Sequence, residues 1–258
     1  TTAHFFSDSA ANWRRYCVRN AMARAASYAE QLEELAKGDL GENEQKAIKK
    51  LLPDWWDYQL EVQQETDNNK KEEIYLEGLK AHPESHELMG WYAIFLSSVR
   101  NDHDKAESYY LSSLELAPNA ALHNFNYAGF LHQIVQDYDK AEGYYKKALE
   151  LNPTELKYTS EYAIFSQNVR KDYYKAEKFF KLALSLNPNQ ANHNGCYAQI
   201  LLVTGRRPEA DSYIKTAFKN LISESDSALE LELWFYRLAH YPEFYEQAQR
   251  ELDILIAD

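Results

Sequence analysis

Pro83, Pro118, Pro153 and Pro188 each fall 35 residues after the one before. Tyr92, Tyr127, Tyr162 and Tyr197 keep the same spacing, each followed by alanine (Ala93, Ala128, Ala163, Ala198). Tyr75, Tyr110, Tyr145 and Phe180 form a further column, and Leu79, Leu114, Leu149 and Leu184 another. Ala106, Ala141 and Ala176 follow the period, and the next alanine of that column, Ala210, comes one residue early. A fixed period of this length implies a stacked array, because one short unit cannot bury its own apolar face.

Within a unit the apolar residues recur at helical spacing. Leu122, Tyr127, Phe130, Leu131 and Ile134 predict a first helix over 120–135. Asp137-Tyr138-Asp139 predicts a turn with N-cap residues, and Ala141, Tyr144, Tyr145, Ala148, Leu149 and Leu151 predict a second helix. Asn152-Pro153 ends it, since proline disfavours helix in the residue before it and carries no N–H. The short connections make the helices antiparallel neighbours. Ala128, Ala141 and Ala148 allow close backbone approach, and Tyr145 and Leu149 are expected to fill the space between units.

The columns Tyr-Ala, then Asp-Tyr-Asp-Lys-Ala-Glu, then Tyr-Tyr, Ala-Leu-Glu-Leu and Pro resemble the tetratricopeptide repeat. That family runs at 34 residues per unit, and the extra residue here is expected near the end of the first helix, around Val135-Gln136 and Val169-Arg170. The resemblance covers residues 68–222 and implies an all-α fold, an α-solenoid of stacked antiparallel helix pairs in a right-handed superhelix. Residues 1–67 fit less well and are expected to form an N-terminal helical cap: helices over 10–37 (capped by Ser7, Asp8 or Ser9 and ended by Gly38) and 42–52, then a degenerate first repeat helix with Trp55 and Trp56 as packing anchors. Residues 223–258 are expected to form a degenerate C-terminal helix pair, with Leu231, Trp234, Phe235 and Leu238 on a wide apolar face.

Composition narrows the function. The net charge of −12 is spread along the protein, at −4 over residues 1–83, −3 over 84–204 and −5 over 205–258, so no segment has the basic excess that a phosphate backbone requires. This disfavours nucleic acid as a partner, including the single-stranded RNA bound by pentatricopeptide repeats of the same period. No apolar run is long enough to cross a membrane, and no membrane partner is expected. The start, without an initiator methionine or the pattern of a signal peptide, leads us to expect a piece of a longer protein. Two distant cysteines, Cys17 and Cys196, point to a reduced, cytoplasmic setting.

No catalytic constellation is present in the sequence. Cys17 and Cys196 have no adjacent histidine or basic residue to activate a thiolate. His82 and His86 are spaced for a metal on one helix, but Pro83 interrupts that helix. His123 and His193 occupy one repeat position. Asp102, Asp137 and Asp172 fall in the inter-helix turns, where capping explains them. There is no phosphate-binding glycine loop. We therefore expect no enzyme, cofactor or metal.

The resemblance implies a protein or peptide partner held in a concave groove lined by the first helices. The residues so placed are Glu87, Trp91, Ile94 and Ser98; Asn126, Gly129, His132 and Gln133; Lys157, Glu161, Gln167 and Asn168; and Asn192, Gln199 and Leu202. Amides prevail, and each carries both a donor and an acceptor for peptide backbone. Trp91 is the expected anchor. Members of the family that hold the C-terminal carboxylate of chaperones use a basic clamp; here only Asn126 and Lys157 suit it, and Glu87 and Glu161 oppose it. The leading reading is a protein-interaction scaffold, the docking or sensing arm of a signalling or effector protein. Self-association through the terminal helices is a compatible alternative.

Overall fold

The computed structural model describes residues 55–224 and 227–257. The expected helices over 10–37 and 42–52, together with Cys17, lie outside the described residues. Among the described residues there are twelve α-helices and no strand. Backbone contacts divide the protein into two compact units, one ending at Tyr144 and the other beginning at Tyr145.

The first unit contains α1 (Trp56–Gln64), α2 (Asn68–Ala81), α3 (His86–Phe95), α4 (His103–Leu116), α5 (Ala121–Phe130) and the start of α6 (Tyr138–Leu151). The second contains the rest of α6, then α7 (Leu156–Asn168), α8 (Tyr173–Leu186), α9 (Ala191–Val203), α10 (Arg207–Glu224), α11 (Ser227–His240) and α12 (Tyr245–Ala257). Helices pack in hairpins, α1 on α2, α3 on α4, α7 on α8, α9 on α10 and α11 on α12. First helices also meet the next first helix, α3 against α5 in the first unit, and α7 against α9 and α9 against α11 in the second. This is the architecture of an α-solenoid built from antiparallel helix pairs.

The aromatic columns explain the stacking. Tyr92 of α3 meets Tyr109 of its own hairpin edge-on at 4.8 Å and Tyr75 of the preceding helix at 5.4 Å. Tyr127 of α5 repeats both contacts, with Tyr144 at 4.8 Å and Tyr110 at 5.7 Å. In the second unit Tyr162 lies 4.9 Å from Phe179 and 6.3 Å from Tyr145, and Tyr197 lies 4.7 Å from Tyr213. All four tyrosines are buried, and each such ring contributes roughly 1.5–3 kcal/mol when removed from water. Ala93, Ala106, Ala128, Ala141, Ala163, Ala176, Ala198 and Ala210 are fully buried, so the columns of small residues mark where helices come closest.

Each phenol needs a partner at its buried end, and a glutamate of the preceding second helix provides one. The Tyr92 hydroxyl donates to Glu72 at 3.1 Å, Tyr127 to Glu107 at 2.9 Å and Tyr197 to Glu177 at 3.2 Å. Arginines at the ends of two first helices close the same glutamates: Arg100 Nε lies 2.7 Å from Glu72, and Arg206 grips Glu177 with both terminal nitrogens at 3.0 and 2.6 Å. Arg206, Lys181 and Tyr197 together hold the Glu177 carboxyl down at about 2.

The residue that lengthens the repeat lies in the last turn of the first helix. α3 and α5 each finish in a π-helical turn, Leu96–Arg100 and Leu131–Val135. The backbone then reverses through a left-handed residue, Asn101 (φ 56°), Gln136 (φ 62°) or, after α7, Lys171 (φ 55°). Asp102 N bonds back to Leu96 O at 3.0 Å, and Asp172 N to Ser166 O at 2.9 Å, each six residues back. After α9 the closing bond is one residue shorter, Arg206 N to Leu201 O at 2.7 Å, and the left-handed residue is Gly205 (φ 78°). This is where Ala210 arrives early. The aspartate after each longer reversal caps the next helix, Asp102 accepting from Lys105 N at 3.3 Å, Asp137 from Lys140 N at 3.1 Å and Asp172 from Lys175 N at 3.0 Å. Capping thus accounts for the three regularly spaced aspartates.

A non-glycine residue in the left-handed region carries a steric cost. Lys171→Gly is expected to raise stability by roughly 0.5–1 kcal/mol in urea unfolding, and Asn101→Gly by less, because asparagine tolerates this conformation. Gly205→Ala should lower stability by about 1 kcal/mol although open space surrounds the position, since its φ is positive.

Candidate functional site

The first helices of a repeat hairpin carry more polar side chains than their burial would suggest, and most of these are tied down locally. Asn124 on α5 donates to Pro118 O at 3.0 Å and Ala120 O at 2.9 Å, and Asn194 on α9 donates to Pro188 O and Gln190 O at 2.9 and 2.8 Å. Ser166 Oγ donates to Tyr162 O at 2.7 Å, and Ser160 Oγ to Leu156 O at 2.6 Å. These groups close loops and turns and are not free for a ligand.

In the first unit the face shared by α3 and α5 holds eight of the expected residues. Trp91, Ile94, Asn126, His132 and Gln133 are partly exposed. Ser98 Oγ is committed to Ile94 O at 2.7 Å, and Glu87 accepts from Ser85 Oγ at 3.3 Å. Gly129 is buried and presents no side chain. Gln133 Nε2 approaches His132 Nδ1 at 3.1 Å. Beside this face His86 Nδ1 and His123 Nε2 lie 2.9 Å apart across α3 and α5. Gly90 makes room for that pair, because a Cβ there would fall 2.7 Å from His123 Nδ1. His82 sits apart against Tyr58, so the two histidines of the sequence spacing are not brought together.

In the second unit the expected residues separate more sharply. Asn168 is exposed, and Lys157, Asn192 and Gln199 are partly exposed. Asn192 Oδ1 lies 3.5 Å from Cys196 Sγ. Leu202, at 6% exposure, belongs to the hydrophobic core of this unit, and Glu161 is also buried. The surface expected for Leu202 is therefore corrected: the end of α9 turns it inward to pack, and Val203 takes the exposed place. Gln167 of α7 and Gln199 of α9 are brought together, Gln167 Nε2 donating to Gln199 Oε1. Gln167 is 5% exposed, and among the described residues no group donates to its Oε1. The pair thus leaves one buried carbonyl oxygen unsatisfied beside the partly exposed amide of Gln199. Gln199, partly exposed, is the member of the pair that faces outward, and an amide of this kind matches the chemistry of a peptide backbone.

The histidines on these helices are held neutral. Burial pushes His123, His132 and His193 down to about 4, and His123 is lowered further by His86. His123 and His193 share one repeat position in the sequence. The His86–His123 contact leaves no such trace there, because its partners lie in different repeats. Among the described residues no group of three or more His, Cys, Asp or Glu is placed to hold a metal ion, and no helix is long and apolar enough to cross a membrane.

A family model described as tetratricopeptide repeat matches residues 128–155. Among solved structures, PilW, a widely conserved type IV pilus biogenesis factor, is similar at 20% identity with a TM-score of 0.65, covering 76% of this protein and 89% of its own length. MamA is similar at 14% identity and a TM-score of 0.55, covering 67% of this protein and 98% of that one. MamA from Desulfovibrio magneticus RS-1 (residues 41 to the end) is similar at 14% identity and 0.56, covering 66% and 96%. At these identities the likeness concerns the fold. No curated protein matches the sequence.

A histidine held at about 4 in the folded protein and near 6.5 when unfolded binds its proton more readily in the unfolded state. Stability is therefore full above pH 6.5 and is lost as pH falls toward 4. His193→Leu, which copies Leu88 at the equivalent repeat position, should shrink the loss of unfolding free energy between pH 7 and 5 by roughly 1–2 kcal/mol, read from urea melts at the two values.

Proposed function

We propose that this array of tetratricopeptide repeats is a protein-interaction scaffold, and that the first-helix face of each unit takes an extended segment of a partner protein. The chemistry of the second unit supports this reading most directly. The Gln167 carbonyl oxygen is buried without a donor while its amide nitrogen is committed to Gln199. An unpaired buried acceptor costs on the order of 1–3 kcal/mol, and a rotation of the Gln167 side chain toward the face lets a backbone N–H of a bound peptide remove that cost. The amide N–H of Gln199 then has a peptide carbonyl to meet. Such pairing is blind to side-chain identity, so it supplies affinity and leaves specificity to the neighbours. In the second unit these are Lys157, Asn168 and Asn192. In the first unit Trp91 is the apolar anchor, with Ile94, Asn126, His132 and Gln133 beside it. Trp91 lies partly exposed on a helix, as a binding aromatic must.

The dispersed negative charge fits a protein partner better than a nucleic acid. We read the scaffold as a docking or sensing arm in a larger assembly, working in a cytoplasmic setting without a chemical step of its own. Homo-oligomerisation through the terminal helices is compatible with it: in α11 Phe235 is 59% exposed, while Trp234 is turned inward against Phe218.

The test is to pan the protein against a library of extended 15-residue peptides and measure the strongest binder by fluorescence anisotropy, with single-stranded RNA as a control. Gln167→Ala combined with Gln199→Ala should weaken that peptide about tenfold, whatever its sequence, if two backbone hydrogen bonds are lost. Trp91→Ala should weaken a peptide that reaches the first unit by more. The reading fails if no peptide binds, if RNA binds in its place, or if removing both amides leaves affinity unchanged.

A further inference from the structure

Each first helix that follows within the second unit lies against both helices of the hairpin before it, α9 against α7 and α8, and α11 against α9 and α10. The residues covered in this way recur at fixed spacing. Ala176 of α8 and Ala210 of α10 are fully buried, and four residues on, Phe180 and Ile214 are at 0% and 3% exposure. Eight residues on, Leu184 packs on the core and Phe218 meets Trp234 of α11 at 4.9 Å. α12 repeats the spacing with Ala248, Leu252 and Ile256. Ala248 and Leu252 are buried against Trp234, but Ile256 is 73% exposed.

The matching side of α11 is open as well. Leu229, Leu233 and Tyr236 turn toward the core of the unit. Leu231, Phe235 and Leu238 are spaced for one stripe on the far side of the helix. Leu231 and Leu238 are only partly buried, and Phe235 is 59% exposed. Tyr245, at the start of α12, is 54% exposed. The hairpin of α11 and α12 therefore presents the kind of face on which α7–α8 and α9–α10 each receive a first helix, and among the described residues no helix covers it. Gln167 and Gln199 sit on α7 and α9 and take no part in this face, which is independent of the peptide reading above.

Charge selects the occupant. Residues 227–257 carry six carboxylates, Glu230, Glu232, Glu243, Glu246, Glu251 and Asp253, against Arg237 and Arg250, a net −4. Glu243 is ion-paired with Arg207, whereas Glu246 and Asp253 form no ion pair among the described residues. Both are exposed, and helical spacing puts them along one border of the stripe formed by Tyr245, Leu252 and Ile256. A second copy on this face sets carboxylates against carboxylates, which disfavours self-pairing there. We propose that the open face of α11 and α12 docks a basic amphipathic helix of another protein, lying against the hairpin as a first helix does elsewhere in the array. Its apolar stripe packs on Phe235, Leu238 and Ile256, and lysines or arginines beside that stripe meet Glu246 and Asp253.

The test uses a hydrocarbon-stapled helix of about 18 residues on the whole protein, with leucine and tyrosine along one stripe and lysine at its flanks. One control replaces the lysines by glutamate, and another replaces the stripe by serine. Binding is read by fluorescence anisotropy and by NMR shifts of the backbone amides over 231–238 and 245–256. The lysine helix should shift these signals in a saturable way, and each control should bind about tenfold more weakly or not at all. Phe235→Ser combined with Ile256→Ser should weaken the lysine helix about tenfold with circular dichroism unchanged, since both side chains are exposed and no charge is altered. If that double variant loses its fold, Ile256→Ser alone and Glu246→Gln combined with Asp253→Asn carry the test, each expected to weaken binding about threefold or more. Gln167→Ala combined with Gln199→Ala should leave the affinity unchanged; a loss there puts the helix on the other face and overturns the assignment. No saturable shift, equal binding of either control, or an unchanged affinity in the Phe235→Ser, Ile256→Ser variant would also overturn it. So would a dimer of the protein alone, seen by light scattering, that the same variant dissociates.

Discussion

A single tyrosine per hairpin, wedged between its own second helix and the second helix of the hairpin before it, is the interaction on which the stack depends. Tyr92 shows the arrangement completely: one ring contact within the hairpin, one across to Tyr75, and a hydroxyl anchored on Glu72. The ring supplies apolar area that a two-helix unit cannot bury by itself. The phenolic oxygen would be a liability at that depth, and the glutamate removes it. Arg100 then holds Glu72 in place, and Arg206 holds Glu177. The tyrosine and the arginine come from one first helix and its end, the glutamate from the second helix of the hairpin before, so each first helix is positioned by a neighbour in another hairpin as well as by its own.

The extra residue of the repeat follows from the same demand. To keep the tyrosine wedge and the next Asp cap in register, a first helix with one residue too many must absorb it without rotating the second helix. A π-helical turn does this by widening the last turn, where few core contacts are at stake. The left-handed residues at Asn101 and Gln136 are the cost of that solution, and Lys171 plays the same part after α7, where Arg170 N bonds back to Phe165 O at 3.3 Å without a π-helical segment. Where the sequence drops one residue, after α9, a glycine and a shorter closing bond restore the ordinary ending. Backbone hydrogen bonding and side-chain register thus vary together from repeat to repeat.

The candidate surfaces were legible in the sequence only as a list of positions. Periodicity places Trp91, Asn126, Gln199 and Leu202 on the same side of their helices, and for Trp91 and Gln199 the structure leaves them accessible. It cannot foresee that α9 packs against α11 closely enough for Gly195 to have no space for a Cβ, 2.9 Å from Leu229, or that Leu202 joins the core near by. Nor can it foresee which of two neighbouring amides will satisfy the other. The Gln167–Gln199 bond and the His86–His123 contact join residues 32 and 37 positions apart, on helices whose separation depends on the size of every residue between them. Arg237 carried no signal at all in a linear reading, since its partners come from α10, α11 and the turn beyond.

The repeat length, the helix pairs, the caps at Asp102, Asp137 and Asp172, and the aromatic and alanine columns could all be read from the residues alone, because each follows from local propensity or from a strict period. The buried Gln167 amide committed to Gln199, and the ring cage around Arg237, emerge only once the helices are assembled. Those outcomes depend on how closely particular helices approach, and that distance is settled by packing across hairpins, which no single stretch of residues encodes.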